Sequence, residues 1–161
     1  AAKAVGDAIE PLAGTKIAAE PMTMKRDGDV TRRIDAVAEE TAIEVLRKNG
    51  SSFVLLSEES GISRFGEEAH QTVILDPIDG TMNAVRGISE YSCSMALAEG
   101  SRLSDVREAV VADLPRGIIY QAEFHKGARC NGKPISPSGV KKLSDSIEIS
   151  SVKGFSKTIE E

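Results

Sequence analysis

Two short apolar runs, each ending in acids, constrain this chain more than any other feature. "FVLLS" occupies residues 53–57 and runs directly into Glu58 and Glu59. "TVILD" occupies residues 72–76 and ends in Asp76, with Pro77, Ile78, Asp79, Gly80 and Thr81 following at once. Apolar runs of this length bounded by turn residues read as buried strands. If the two lie side by side and parallel, their C-terminal ends coincide. Glu58, Glu59, Asp76 and Asp79 then meet at one edge of a sheet.

Four carboxylates so placed repel strongly unless they are solvated, protonated or holding cations. Mg²⁺ is a hard cation that takes oxygen ligands and keeps several waters. Asp76, at its strand end, is placed to bridge two ions, and a turn at Pro77 aims the Ile78 carbonyl at the same point. Gly80 and Thr81 open a short predicted helix, where backbone N–H groups and the helix dipole favour phosphate. The Thr81 hydroxyl can hold a water. Acids that gather metal on one side and amides that gather phosphate on the other would neutralise a phosphoester and present it to water. Each piece also has a plainer reading. Asp-Pro-x-Asp-Gly is a common turn and helix cap, Glu58-Glu59 a solvated pair, and Asp35 an acid favoured by a helix dipole.

The remaining elements follow from periodicity. Val5, Ile9 and Leu12 mark a first helix that no capping residue precedes. Residues 19–30 read as a mobile loop turning at Asp27-Gly28, a solvated segment or a gate. Thr31 is expected to cap a long helix with Ile34, Val37, Ala38, Thr41, Ala42, Val45 and Leu46 on one face. Asp35 lies beside that stripe, and Asn49-Gly50 ends the helix in a left-handed cap. "YSCSMALA", "REAVVADL" and "GIIYQAEF" are strands, and Asn131-Gly132 turns a hairpin. Helices first and strands later predict an α+β fold, with helices on a mainly antiparallel sheet.

Composition narrows the function. The 161 residues make one domain, and a net charge of −5 argues against a general nucleic-acid binder. No run approaches a membrane span, and the start lacks the basic-then-apolar pattern of a secretory leader. Cys93 and Cys130 lack metal-ligand spacing and read as free, mostly buried thiols of a reducing compartment, with a single disulfide between them the alternative. A first residue that is not Met and a final strand-like "SIEIS" at 146–150 suggest a piece of something longer.

These motifs resemble those of the inositol monophosphatase and fructose-1,6-bisphosphatase superfamily of Mg²⁺-dependent, lithium-sensitive phosphatases. The resemblance rests on "SEES" at 57–60, "DPIDGTMN" at 76–83, "GDVTRRID" at 28–35 and "KGARCNGKPI" at 126–135. The surrounding wording is most similar to the archaeal members that act on both inositol monophosphate and fructose 1,6-bisphosphate. The resemblance implies a layered α/β sandwich, of which residues 1–161 form the N-terminal metal- and phosphate-binding part. It implies Glu58, Asp76 and the Ile78 carbonyl on one Mg²⁺, Asp76 and Asp79 on a second, and Glu59 helping a weaker third through water. Gly80 and Thr81 would hold the phosphate. Asp35 and Thr81 would polarise the attacking water, with Glu58 a third member of the catalytic group. The loop from Lys25 to Asp29 would gate water and metal. A cytoplasmic homodimer acting on a small phosphorylated substrate is implied for the full-length protein.

The sequence departs from the pattern in one respect. Longer members carry a second half with a Trp-Asp-x-Ala-type motif that completes the second metal and the sugar pocket, and this chain has no Trp. Such a half would bind Mg²⁺, hydrolyse little, and self-associate through uncovered strand edges and apolar patches. The rival readings are a 3′-phosphoadenosine 5′-phosphate phosphatase of the same superfamily and a non-catalytic metal-binding module. An aspartyl-phosphate phosphatase would want its aspartates near the chain start, on a first strand, as Asp-x-Asp, whereas this chain has Asp-Pro-Ile-Asp after about 75 residues.

Overall fold

The computed structural model describes residues 1–24, 30–50 and 52–147. Three α-helices and ten strands appear among them. In chain order they are α1 (Ala2–Ile9), β1 (Pro21–Met24), β2 (Val30–Arg32), α2 (Arg33–Lys48), β3 (Phe53–Ser57), β4 (Gly61–Phe65), β5 (Gln71–Asp79), α3 (Thr81–Arg86), β6 (Ser92–Ala98), β7 (Val106–Asp113), β8 (Ile118–Glu123), β9 (Gly127–Cys130) and β10 (Lys133–Ile135). Strands β1 and β2 pair with each other. The other eight form one sheet in the order β10-β9-β8-β7-β6-β5-β3-β4. Only the β3–β5 pair in that sheet is parallel, with Leu55 opposite Val73 and Ser57 opposite Leu75. The fold is α+β with a mainly antiparallel sheet, as the order of elements predicts.

The core lies between the two longer helices and one face of this sheet. Val5 and Ile9 of α1 and Ile34, Ala38 and Ala42 of α2 are buried together with Phe53, Leu55, Val73, Leu75, Cys93 and Ala112 of the strands. Side chains alternate across a strand, so the neighbours of these core residues point to the other face. Asp76, Ser94, Val111 and Tyr120 form one row there across β5 to β8. On that face Leu56, Val111 and Tyr120 keep about two-fifths of their surface exposed, at 42%, 41% and 42%. Asp76 therefore stands at the head of a row on the face the helices leave open.

Several local expectations needed correction. Thr31 does not cap α2. It lies in β2, and Arg32 is the residue at the helix start. Part of the loop expected over 19–30 is strand, because β1 and β2 flank residues 25–29, and the gate assigned to Lys25–Asp29 falls outside the described residues. Pro77 does not end its strand: β5 continues to Asp79 through a register shift between Asp76 and Asp79, since a bulge lets a residue without N–H sit in a ladder. Strand β4 was not anticipated. Gly61, in a left-handed conformation (φ 74°), turns the chain after Ser60 and sends it back along β3. Asn131 and Gly132, both at positive φ, make the predicted hairpin turn. Of the strand-like "SIEIS", residues 148–150 lie outside the described residues, and Ser146 and Ile147 are not strand. Both cysteines are free, Cys93 buried and Cys130 half-buried.

Candidate active site

The parallel pairing of β3 and β5 decides where the acids go. Ser57 and Leu75 are register partners, and the Glu58 amide donates to the Leu75 carbonyl at 3.0 Å. Glu58 and Asp76, each the next residue along, emerge side by side. Asp76 Oδ1 is buried and has no hydrogen-bond partner among the described residues. Burial, then the Glu58 carboxylate, then the charges of Asp79 and Glu59 push the Asp76 carboxyl up to about 7. The same site acts on a neighbour: burial, with the Asp76 charge behind it, pushes the Cys93 thiol up to about 12 and keeps it an inert thiol.

An orphaned, buried carboxylate oxygen beside three more acids is a donor set that fits a divalent cation. Among the described residues no three His, Cys, Asp or Glu side chains converge in ready ion-holding geometry. Two features explain the open arrangement. The Glu59 carboxylate accepts a short hydrogen bond from the Thr31 hydroxyl, and Glu58 and Asp79 are exposed. Mg²⁺ is commonly held by one or two carboxylates plus waters and substrate phosphate, so a closed protein cage is not required. Asp76 and Glu58, emerging side by side, are the candidate donors, with the Ile78 carbonyl, Asp79 and Glu59 next to them in the chain.

The other half of the site is tied together. The α2 start places Asp35 inside, 2% exposed. Its Oδ2 accepts the Arg32 amide at 2.9 Å, closing the helix N-terminus, and its Oδ1 accepts the Thr81 hydroxyl at 2.8 Å. Asp35 thus sits at the helix N-terminus, as the helix-dipole reading expects, and the same side chain holds Thr81. Thr81 Oγ1 also lies 3.1 Å from the Ile78 carbonyl. One hydroxyl proton serves one acceptor at a time, and the shorter contact to a carboxylate is the stronger. The threonine oxygen then keeps its lone pairs for a donor such as water.

Gly80 is needed where it is. It precedes α3 at φ 93°, and a Cβ there would meet the Glu90 carbonyl at 2.8 Å and the Tyr91 Cα at 3.3 Å. Its carbonyl accepts the Asn83 and Ala84 amides, at 2.9 and 3.1 Å. The N–H groups of Thr81 and Met82, at the first two helical positions, have no carbonyl within the helix to reach. The structure thus brings together Asp35 and Thr81, and separately Asp76 and Glu58, with Ile78 and Gly80 in the segment that joins them. Reading the sequence missed Thr31 as the partner of Glu59. It also missed Asn83, whose side-chain amide donates to the Glu90 carbonyl at 2.8 Å. Both lie inside the quoted motifs, which was the available signal.

With this geometry described, comparisons with known proteins agree on its class. The inositol monophosphatase family profile matches residues 1–159, and the chain belongs to that family. It is 37% identical over 151 residues to a fructose-1,6-bisphosphatase/inositol-1-monophosphatase of Methanothermobacter thermautotrophicus, covering 88% of this chain and 54% of the relative. A solved inositol monophosphatase–fructose 1,6-bisphosphatase superposes with a TM-score of 0.72 at 26% identity, over 83% of this chain and 50% of that one. A solved inositol monophosphatase/NADP phosphatase, complexed with NADP and Ca²⁺, superposes with a TM-score of 0.63 at 28% identity, over 78% and 46%. The chain spans about half the length of these relatives, and the match is to the N-terminal portion of the family. No helix among the described residues is long and apolar enough to cross a membrane.

Proposed function

We propose that the full-length protein is a Mg²⁺-dependent phosphomonoesterase. Its substrate would be a small sugar or cyclitol phosphate, inositol monophosphate or fructose 1,6-bisphosphate. The observation that carries this reading is the Thr81 hydroxyl donated to a buried Asp35, in the same site as the orphaned oxygen of Asp76. Mg²⁺ bound at Asp76, Glu58 and the Ile78 carbonyl, with Asp79 and Glu59 beside them, would supply Lewis acidity that neutralises the phosphoryl charge and lowers the pKa of the attacking water. The chain's own groups do the rest. The amides that open α3, after Gly80, donate to the phosphoryl oxygens. Thr81, held by Asp35, accepts a hydrogen from the water and orients it. As the water oxygen bonds to phosphorus, its proton passes toward the Thr81–Asp35 pair. The phosphorus–oxygen bond to the alcohol breaks, and the alcohol leaves after taking up a proton.

The same reading includes cytoplasmic location, a homodimer at full length and inhibition by lithium. The NADP-bound relative favours a second reading, in which the phosphate sits on a nucleotide. The test is to assay the full-length protein on inositol 1-phosphate, fructose 1,6-bisphosphate, NADP and 3′-phosphoadenosine 5′-phosphate, with and without chelator. Chelator-sensitive hydrolysis of the first two supports the proposal. Preference for the nucleotides supports the second reading, and no hydrolysis of any leaves a metal-binding module.

A further inference from the structure

The turn between β3 and β4 carries Glu58 and Glu59, and the backbone amides of residues 58–60 are all held. The Glu58 amide donates to the Leu75 carbonyl of β5 at 3.0 Å, and the Glu59 amide to Ser57 Oγ at 3.3 Å. The Ser60 amide finds its partner outside the sheet. It donates to Glu39 Oε1 at 3.2 Å, and the Ser60 hydroxyl donates to the same oxygen at 2.8 Å. Glu39 is half-buried on α2, four residues after Asp35. Residues four apart share one face of a helix, about 6 Å apart along its axis. That face grips both halves of the candidate site. Asp35 takes the Thr81 hydroxyl, and one turn further on Glu39 takes the loop that bears the acids. Buried Ile34, Ala38 and Ala42 fix α2 in the core, so the helix is a splint between the two.

A tie at this point matters because the turn is charged. Glu58 and Glu59 both act on the Asp76 carboxyl, and repulsion among the acids favours any arrangement that swings the turn outward. The β3–β5 pairing fixes the chain as it leaves Ser57, and the Glu39 clasp fixes it three residues later. A turn held in place before a cation arrives loses less freedom on binding. Groups that orient metal ligands from behind are worth roughly ten- to a hundredfold in metal affinity. Glu39 acts here as an acceptor, and its charge is not among those that raise Asp76. We infer that Glu39 is a positioning residue for the cation site. Through Ser60 it holds Glu58 and Glu59 beside Asp76, and through α2 it keeps them in register with the Asp35–Thr81 pair. This rests on the metal reading in the proposed function and adds to it a residue outside the donor set.

The experiment measures Mg²⁺ affinity of the full-length protein by calorimetric titration, and amide exchange at residues 58–60 in the metal-free protein. Glu39→Ala should raise the Mg²⁺ dissociation constant by about tenfold and speed exchange of the Ser60 amide. Turnover lost at low Mg²⁺ should return as Mg²⁺ is raised, unlike the loss in Thr81→Ala. Glu39→Gln keeps an acceptor oxygen without the charge and should restore most of the affinity and the protection. Ser60→Ala keeps the amide donor and should weaken binding by less, and in combination with Glu39→Ala it should add nothing further. Should Glu39→Ala fail to fold, the smaller loss of affinity in Ser60→Ala is the test, and its absence overturns the inference. Unchanged Mg²⁺ affinity in a folded Glu39→Ala protein overturns this inference alone, as does a Glu39→Gln variant that binds as weakly as Glu39→Ala. A wild type that binds no Mg²⁺ overturns the metal reading with it.

Discussion

Two carboxylates of the candidate site, Asp35 and Asp76, sit in opposite electrostatic circumstances. Asp35 is buried yet supplied: its two oxygens accept an amide and a hydroxyl. Asp76 is half-buried yet undersupplied, with an orphaned oxygen and three acids around it. A buried carboxylate with donors on both oxygens is a finished structural unit. One without them is a cost to the fold that a ligand can remove. The difference teaches which part of the site is preorganised and which part is built to be completed. Asp35 and Thr81 hold their geometry alone, whereas on the proposed function a cation would complete the Asp76 group.

Substitution should separate the two by size and by sign. The largest expected effect is on turnover in Asp76→Asn. Losing the central acid should lower kcat of the full-length protein by roughly a thousandfold, the scale of metal charge stabilisation. Near wild-type turnover in that variant would remove Asp76 from the mechanism. Thr81→Ala comes next. It should lower kcat by about a hundredfold, as loss of a positioned proton acceptor does, with KM little changed because the backbone amides remain. A rise in KM alone would mean that Thr81 only binds.

Stability should then move in opposite directions. Asp35→Asn presents an amide donor where a carboxylate accepted from two donors, and it should cost about 1–3 kcal/mol in a urea melt. Asp76→Asn removes a repelled charge and should leave the metal-free protein at least as stable as wild type. Equal losses in both variants would erase the contrast. The smallest effect is the pH dependence of the metal-free fold. Asp76 titrates near 7 when folded and near ~4 when unfolded, so between those values the native state binds more protons. Stability should therefore fall as pH rises through that window and level off above it. Mg²⁺ should oppose the fall, because it binds the native state. Melting temperatures across pH 4 to 8, with and without Mg²⁺, check this, and a rise in stability over the window without Mg²⁺ would contradict it.

Much of this arrangement was legible in order along the chain. Two apolar runs with acids at their ends placed Glu58 beside Asp76, because parallel pairing puts strand ends together. The turn at Asn131-Gly132 is a property of those two residues. What could not be read depends on partners distant in sequence. Thr31 looked like a cap because its hydroxyl suits one, but Glu59, 28 residues on, takes that hydroxyl, and Asp35 closes the helix instead. Pro77 looked like a stop because proline lacks an N–H. Whether it ends a strand or sits in a bulge depends on β6, which lies beyond α3. Strand β4 was hidden because "GISRF" alternates with little apolar content and borders the sheet through β3 alone. The clasp of Glu39 on Ser60 joins residues 21 apart and has no short-range pattern at all.

The central claim is that Asp76 and its neighbouring acids form a divalent-cation site. The measurement that tests it most directly is calorimetric titration of Mg²⁺ into wild type and Asp76→Asn at neutral pH, with folding checked by circular dichroism. The account predicts saturable binding to the wild type, absent from a variant that is folded and melts no lower than the metal-free wild type. Unchanged Mg²⁺ affinity in a folded Asp76→Asn protein would contradict it.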